Sequence, residues 1–280
     1  MDELLHDSFL NRLQNLARDK ASEYQNNTPF PNIYFDNFLP EAALEAALRD
    51  FPEPRELRWR EFEDRNQKKL SFEAVEQLPA SLRNILYFLN SRPMLQFLEV
   101  LTGIRGLISD PYYVGGGLHQ IRPGGHLEVH ADFNWHEALR LDRRINVLLY
   151  LNKDWRDEYG GHFELWNRDM TLAVRKILPI FNRRAIFSTS DYSYHGHPTP
   201  LTCPPTRTRK SIATYYYSNG RPEEEVSESH STLFQHRHGV APAADPLATR
   251  IARSLVPSIL MKAYRRRRAR GNNRHNRGIS

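Results

Sequence analysis

Residues 106–218 consist of short segments in which apolar and polar residues mostly alternate, separated by glycine or proline. Among these segments are HLEVHAD, INVLLYLN, GGHFELW, LAVRKILPI, RAIFST and SIATYYYS. A period of two places successive side chains on opposite faces of a strand, and several such strands at regular spacing are typical of a sandwich or barrel. We therefore expect an antiparallel jelly roll and not a parallel α/β fold.

The residues before this region have helical spacing instead. Apolar side chains recur at helical intervals over residues 3–22, the segment LPEAALEAALRDF has Pro40 at its start, and residues 79–102 form a further helical stretch interrupted at Pro93. Between the first two lies a short strand, IYFDNF. The predicted fold class is α+β with a mainly β core, flanked by N-terminal helices.

The length of 280 residues allows one sizeable core with extensions. The predicted units are an N-terminal helix (1–28), a main domain (29–221), a linker (222–244) and a basic amphipathic C-terminal helix or tail (245–280). The single cysteine, Cys203, excludes an internal disulfide and a cysteine-rich metal site. With no secretory signal and no apolar run of membrane-spanning length, the expected location is cytoplasmic.

The net charge of +6 belongs to the C-terminal tail. Ten of the 39 lysine and arginine residues lie within residues 250–280, which contain no acid, so the rest of the chain is slightly acidic. An apolar stripe precedes four consecutive arginines, Arg265–Arg268. Three interpretations stay open: a helix docked on the main domain with a solvated end, a peripheral contact with an anionic membrane surface, and binding to nucleic acid, which no accompanying motif supports.

The stretch GGHLEVHAD places four polar side chains, His126, Glu128, His130 and Asp132, on one face of its strand. Alone, this pattern fits a solvated strand as well as a metal site. Two later segments favour the metal site. YHGHP supplies His195 and His197, and RTRKS supplies an arginine and a serine two residues apart on the next strand.

The order His-x-Asp, distant His, Arg-x-Ser has a chemical meaning. Two neutral imidazoles and one carboxylate occupy one face of an octahedral Fe(II) and leave three positions for a bidentate co-substrate and dioxygen. The guanidinium of Arg209 can pair with the far carboxylate of a dicarboxylic acid, and the hydroxyl of Ser211 shares its strand face. This pattern predicts an iron site with 2-oxoglutarate (2OG) as co-substrate.

Over residues 29–218 the sequence resembles the prolyl 4-hydroxylase-like branch of the Fe(II)/2OG-dependent dioxygenases. The similar stretches are PFPNIYFDNFLPEAALEAAL, GGGLHQIRPGGHLEVHADFN, RRINVLLYLNKDWRDEYGGHFELW, YHGHPTPL and RTRKSI. The resemblance implies a double-stranded β-helix that uses Fe(II), dioxygen and 2OG and couples decarboxylation to C–H hydroxylation. Ascorbate is left open as an auxiliary reductant.

The resemblance also assigns roles to individual residues. His130, Asp132 and His195 correspond to the catalytic metal triad, and Arg209 corresponds to the co-substrate anchor. Tyr150 lies where related enzymes offer a tyrosine hydroxyl to the co-substrate. Gln120 replaces another tyrosine of some relatives, and its amide can still bond a carboxylate.

The distal ligand has two candidates. The family's His-Gly-x-Pro pattern favours His195 over His197, which would then lie beside the metal or face the substrate. A cupin-like site that uses both histidines stays open.

The predicted function is a hydroxylase whose substrate, a protein residue such as proline or a small metabolite, does not follow from the sequence. The rival is a non-catalytic β-helix that binds a membrane or nucleic acid through its basic tail. The oligomeric state is not predicted.

Overall fold

The computed structural model describes residues 2–235 and 237, which form five α-helices and fourteen strands. The helices are α1 (Asp2–Leu5), α2 (Asp7–Asn26), α3 (Glu41–Arg49), α4 (Ala80–Leu89) and α5 (Arg92–Thr102). The strands are β1 (Asn32–Phe35), β2 (Arg60–Glu63), β3 (Lys68–Phe72), β4 (Ile108–Ser109), β5 (Gly117–Ile121), β6 (Leu127–Ala131), β7 (Trp135–His136), β8 (Leu141–Tyr150), β9 (Phe163–Trp166), β10 (Ala173–Ile177), β11 (Arg184–Ser188), β12 (His195–His197), β13 (Arg209–Ser218) and β14 (Leu233–Phe234). The basic extension predicted at 245–280 lies outside the described residues.

The strands form two antiparallel sheets. The larger sheet has the order β1-β11-β8-β13-β5-β3-β2, with β4 added to β13 and β7 added to β8. The smaller sheet has the order β10-β9-β12-β6-β14. Two packed antiparallel sheets with helices at the N-terminal end confirm the predicted α+β jelly roll.

Alternation along the central strands builds two cores, one on each face of the larger sheet. On β8, Ile145, Val147 and Leu149 pack into the core that contains the helices. Leu148 and Tyr150 point to the other face and join side chains of the smaller sheet. The larger sheet is therefore covered on both faces, and its inner face borders the space between the sheets.

The helices pack on the outer face of the larger sheet, with α2 against α5 and α3 against α4. The stretch predicted to be interrupted at Pro93 is broken earlier, at Asn90 and Ser91, and Pro93 lies in the first turn of α5. A proline fits there because the first backbone N–H groups of a helix have no intrahelical acceptor. Gly103, with φ of 76°, ends α5 in the left-handed conformation.

The hairpin β2–β3 was not predicted. Its strands, REFE and KKLSF, carry few apolar residues and are mostly exposed on β2. The hairpin is held by pairing with β5, where Leu70 lies opposite Gln120 and Ser71 opposite His119. A strand stabilised by long-range pairing leaves little local signal in the sequence.

The segment predicted as a linker begins with structure. Within 222–244, β14 pairs with β6, so that Phe234 lies opposite His130. The domain boundaries themselves stay predictions. Among the described helices, none combines the length and apolar character needed to cross a lipid bilayer.

Candidate metal centre and adjoining cavities

Strand pairing brings the three predicted ligands together. The neighbouring strands β6 and β12 place His130 opposite His195, with ring centroids 4.4 Å apart, and Asp132 directly follows β6. His130 Nε2 lies 3.6 Å from Asp132 Oδ1, and His195 Nε2 lies 3.3 Å from Asp132 Oδ2. One ligand atom from each residue lies within 4.8 Å of the other two. Two imidazoles and a carboxylate thus converge on one point.

Backbone carbonyls orient both imidazoles. His130 Nδ1 lies 2.8 Å from the carbonyl oxygen of Glu128, and His195 Nδ1 lies 2.8 Å from that of Ser193. Because a carbonyl can only accept, each Nδ1 must carry the proton, which leaves the lone pair of each Nε2 free for a metal. Burial, followed by the proximity of His195, lowers the pKa of His130, so this ring is neutral at physiological pH.

The carboxylate of Asp132 is held in its charged form. Burial alone would raise its pKa, but Arg143 and the two histidines outweigh burial and hold the pKa well below its usual range. Arg143 Nη2 and Asn146 Nδ2 donate to Asp132 Oδ2 at 3.1 and 2.6 Å. An oriented carboxylate and two imidazoles whose Nδ1 atoms are bonded to carbonyl oxygens form the facial donor set that Fe(II) prefers, so the residues present fit this metal.

Arg209 and Ser211 line a cavity of about 80 Å³ that also contains His130, Asp132 and His195. We call it the inner cavity. Arg209 donates from Nε to the carbonyl oxygen of Gly161 at 2.8 Å and lies over the ring of Tyr150, 4.9 Å from its centroid. Gly161 has φ of 71°, and a Cβ there would come within 2.9 Å of the Arg209 side chain. The arginine therefore requires glycine at this position.

The buried guanidinium of Arg209 forms no salt bridge within residues 2–235 and 237. Burial accordingly lowers its pKa. A buried cation without a counter-ion is costly unless a ligand supplies the anion, and the far carboxylate of 2OG would do so. The hydroxyl of Tyr150 lies 3.5 Å from Arg209 Nη2 and can join that contact. These residues fit the predicted co-substrate.

His197 lies in the inner cavity but outside the group of three ligands. It is buried, and neither ring nitrogen has a hydrogen-bond partner in the described part of the chain. Burial, followed by the charge of Arg209, lowers its pKa well below the usual value. The structure therefore groups His195 with the triad and leaves His197 as a neutral polar side chain beside the anchor.

The structure contradicts the expectation that the amide of Gln120 bonds the co-substrate carboxylate. Its side chain donates to Thr208 Oγ1 at 2.8 Å and does not line the inner cavity. On β5 it is His119, on the opposite face of the strand, that reaches the cavity. Position counting from the metal histidine identified the strand but could not decide which of its two faces turns inward.

Sequence reasoning also missed several residues around the triad. Lys69 of the unpredicted hairpin lines the inner cavity, and burial lowers its pKa to about 8. Arg143 and Asn146 hold Asp132, and of these Asn146 carried a signal, because it lies two residues before Leu148 in the alternating strand β8.

The segment that ends in the edge strand β14 of the smaller sheet reaches the metal centre. The ring of Phe234 lies 5.4 Å from that of His130, and Gln235 N donates to the carbonyl oxygen of Val129 at 2.8 Å. Arg237 forms a 3.3 Å salt bridge with Glu128. We call residues 227–235 together with Arg237 the C-terminal strap, because these contacts lay it along the outer edge of β6.

A second cavity of about 150 Å³ opens beside the triad and shares His130 and Asp132 with the inner cavity. We call it the mouth. Its other lining side chains come from the β2–β3 hairpin, the residues after β6, the central strands and the strap. They include Arg60, Phe62, Lys69, Glu73, His119, Phe133, Arg143, Tyr215 and Phe234.

Residues 116–217 match the sequence model of the 2OG-Fe(II) oxygenase superfamily. The structure is similar to a prolyl hydroxylase from Trichoplax adhaerens in complex with a hypoxia inducible factor peptide fragment, with a TM-score of 0.55 and 18% identity over 78% of this chain and 96% of that chain. A prolyl-4-hydroxylase from Pseudomonas putida has a TM-score of 0.46 and 15% identity, over 73% of this chain and 100% of that chain. HygX from Streptomyces hygroscopicus, with nickel, 2OG and hygromycin B bound, has a TM-score of 0.48 and 8% identity, over 79% of this chain and 96% of that chain. No curated protein matches by sequence.

Proposed function

We propose that the chain is an Fe(II)- and 2OG-dependent hydroxylase, because its residues 116–217 match the sequence model of the 2OG-Fe(II) oxygenase superfamily. Its substrate is a protein residue such as proline, or a small metabolite. The observation that carries this proposal is the convergence of His130, Asp132 and His195 beside a buried arginine that has no salt bridge among the residues described by the structure.

Each protein group has a defined task in this proposal. The Nε2 atoms of both histidines and an oxygen of Asp132 would hold Fe(II), and Arg209, with Ser211 and Tyr150, would anchor the far carboxylate of 2OG. With both groups bound, the reaction class converts 2OG and dioxygen to succinate and CO₂ and places one oxygen atom in a substrate C–H bond. A non-catalytic binding module would have no need for this complete set.

The protein environment keeps the ligands fixed and shields them from water. Phe187 packs on the ring of His195 with a centroid distance of 4.6 Å, and Phe163 does so at 5.6 Å. Phe234 covers His130 from the other side. A dry, rigid donor set limits side reactions of an oxidising centre.

Peptides are the first substrate class to screen, because the Trichoplax enzyme with this fold was solved with a peptide bound. Fold-level analogy is weak evidence for a substrate, so the screen also needs small metabolites. Release of succinate with Fe(II), 2OG and air would be measured for prolyl peptides and metabolites.

We expect Asp132→Ala to abolish succinate release, and Arg209→Met to raise the half-saturating 2OG concentration about 30-fold, the effect of losing a buried charged contact. Arg207→Met is the matched control, because Arg207 bonds the carbonyl of Lys153 on the exterior. Equal succinate release by the wild type and Asp132→Ala would refute the proposal.

A further inference from the structure

The mouth carries more positive charge than the residues around it neutralise. Arg60, Lys69 and Arg143 line it, and among the described residues Glu73 is the one lining carboxylate besides Asp132; Glu73 accepts a hydrogen bond from Gly115 N at 3.0 Å. Arg143 has a counter-ion, since it forms a 3.1 Å salt bridge with Asp132. The imbalance therefore concerns the two cations of the hairpin.

Neither Lys69 nor Arg60 forms a salt bridge within the described residues. The contrast with Lys68 is informative, because this neighbour on the same strand pairs with Glu63 at 2.7 Å. Lys68 is exposed, whereas Lys69 turns into both cavities and lies 5.3 Å from the centroid of the Phe62 ring. A partly buried cation that forms no salt bridge favours an anionic ligand.

Metal binding would strengthen this preference. Asp132 is the carboxylate whose charge acts on Lys69, while Arg143, Arg60 and Arg209 repel it. When Asp132 coordinates a divalent cation, that cation neutralises the carboxylate, and the attraction between Asp132 and Lys69 is lost. The walls between the cations are aromatic, from Phe62, Phe133 and Phe234.

We propose that the mouth binds a carboxylate group of the primary substrate, with Lys69 as the main contact and Arg60 at the rim, and that the aromatic walls hold the apolar part next to the metal. This inference rests on the proposed function and narrows its substrate class to acids, either free acids or acidic side chains. Lys69 is thus a specificity-determining residue.

The carboxylate could have a second source, because Lys69 also lines the inner cavity, where 2OG would bind. The structure favours the primary substrate as the source of the carboxylate. Arg60, which lies on the same hairpin as Lys69, lines the mouth but not the inner cavity. An experiment must therefore separate binding in the mouth from binding in the co-substrate position.

The test uses 4-fluorobenzoate and its neutral analogue 4-fluorobenzamide as probes. Full-length protein is loaded with Zn(II) or Co(II) and saturating 2OG, and each probe is titrated by ¹⁹F NMR. We expect the acid to bind about tenfold more tightly than the amide, the effect of one charged contact. Faster ¹⁹F relaxation with Co(II) than with Zn(II) would locate the bound probe near the metal.

The variants are Lys69→Met, Lys69→Arg and the matched control Lys68→Met. We expect Lys69→Met to remove the preference for the acid, Lys69→Arg to restore most of it, and Lys68→Met to leave it unchanged. Equal affinity for acid and amide, an unchanged preference in Lys69→Met, or binding of the acid only when 2OG is omitted would each overturn the inference.

Loading is verified first, by the visible charge-transfer band of the anaerobic Fe(II) and 2OG complex. Absence of that band refutes the proposed function itself. Presence of the band together with no preference for the acid refutes the assignment of the mouth alone.

Discussion

The donor that Asn146 supplies to Asp132 shows how one side chain can control the metal centre. Asn146 Nδ2 lies 2.6 Å from Asp132 Oδ2 and fixes the carboxylate from the adjacent sheet. We expect Asn146→Ala to weaken Zn(II) binding about tenfold, the usual cost of removing such a partner. Isothermal titration calorimetry measures this change. Asn167→Ala, which alters a surface turn closed by Thr171, is the control and should bind Zn(II) normally; equal affinity in the two variants would contradict the account.

His119 makes the stability of the protein depend on pH. Burial, followed by the charge of Lys69, lowers its pKa to about 3, so the ring stays neutral in the folded protein while it protonates below about pH 6.5 in the unfolded chain. The unfolded state then binds more protons, and the free energy of unfolding falls as the pH falls from 6.5 towards 3, by at most about 1.4 kcal/mol per pH unit for this residue.

We therefore expect His119→Gln to lose less stability than the wild type between pH 6.5 and pH 5, as measured by urea unfolding. His6→Gln, which changes an exposed histidine, should follow the wild type. Parallel curves for wild type and His119→Gln would show that the ring is not held neutral in the folded state.

The sequence predicted which residues belong to the candidate site better than it predicted the direction in which each side chain points. His130, Asp132, His195 and Arg209 were found because their chemistry and order are specific, and the structure brings them together. Gln120 was misassigned because the inward face of β5 depends on how that strand pairs with β13. A shift by one residue exchanges the two faces of a strand, and this information is not local.

At the scale of elements, the strands with apolar alternation were predictable and the hairpin β2–β3 was not. The central strands β8 and β13 each bury one face against the helices, so their sequences carry the period directly. The hairpin lies at the edge of the larger sheet and carries charged residues. It nevertheless supplies Lys69 and Arg60, so the residues proposed to select the substrate lie on an element that the sequence did not predict.

The C-terminal strap provides a prediction about elements. Because Phe234 covers His130 and Gln235 bonds β6, we expect a chain ending at residue 226 to bind Zn(II) several-fold more weakly than a chain ending at residue 237. Calorimetric titration of both, with circular dichroism to verify folding, measures the difference. If the shorter chain folds and binds Zn(II) with full affinity, the strap has no part in the metal centre.

For the whole molecule, the sequence predicted the two-layer β architecture, and the domain boundaries derived from it stay predictions. The described structure continues past residue 221 into the strap, and the basic extension at 245–280 follows it in the sequence. We expect the full chain to sediment with anionic vesicles at low salt and a chain ending at residue 237 to remain in the supernatant. Equal sedimentation by both chains would exclude the extension as a membrane anchor.

The central claim is that one cavity holds both Fe(II) and 2OG, through the triad and Arg209. The most direct test is the visible absorption of the anaerobic protein after addition of Fe(II) and 2OG. We predict a weak charge-transfer band that requires both additions, disappears in His130→Ala and Asp132→Ala, and needs a higher 2OG concentration in Arg209→Met. A band that persists unchanged in the two triad variants, or no band in the wild type, would contradict it.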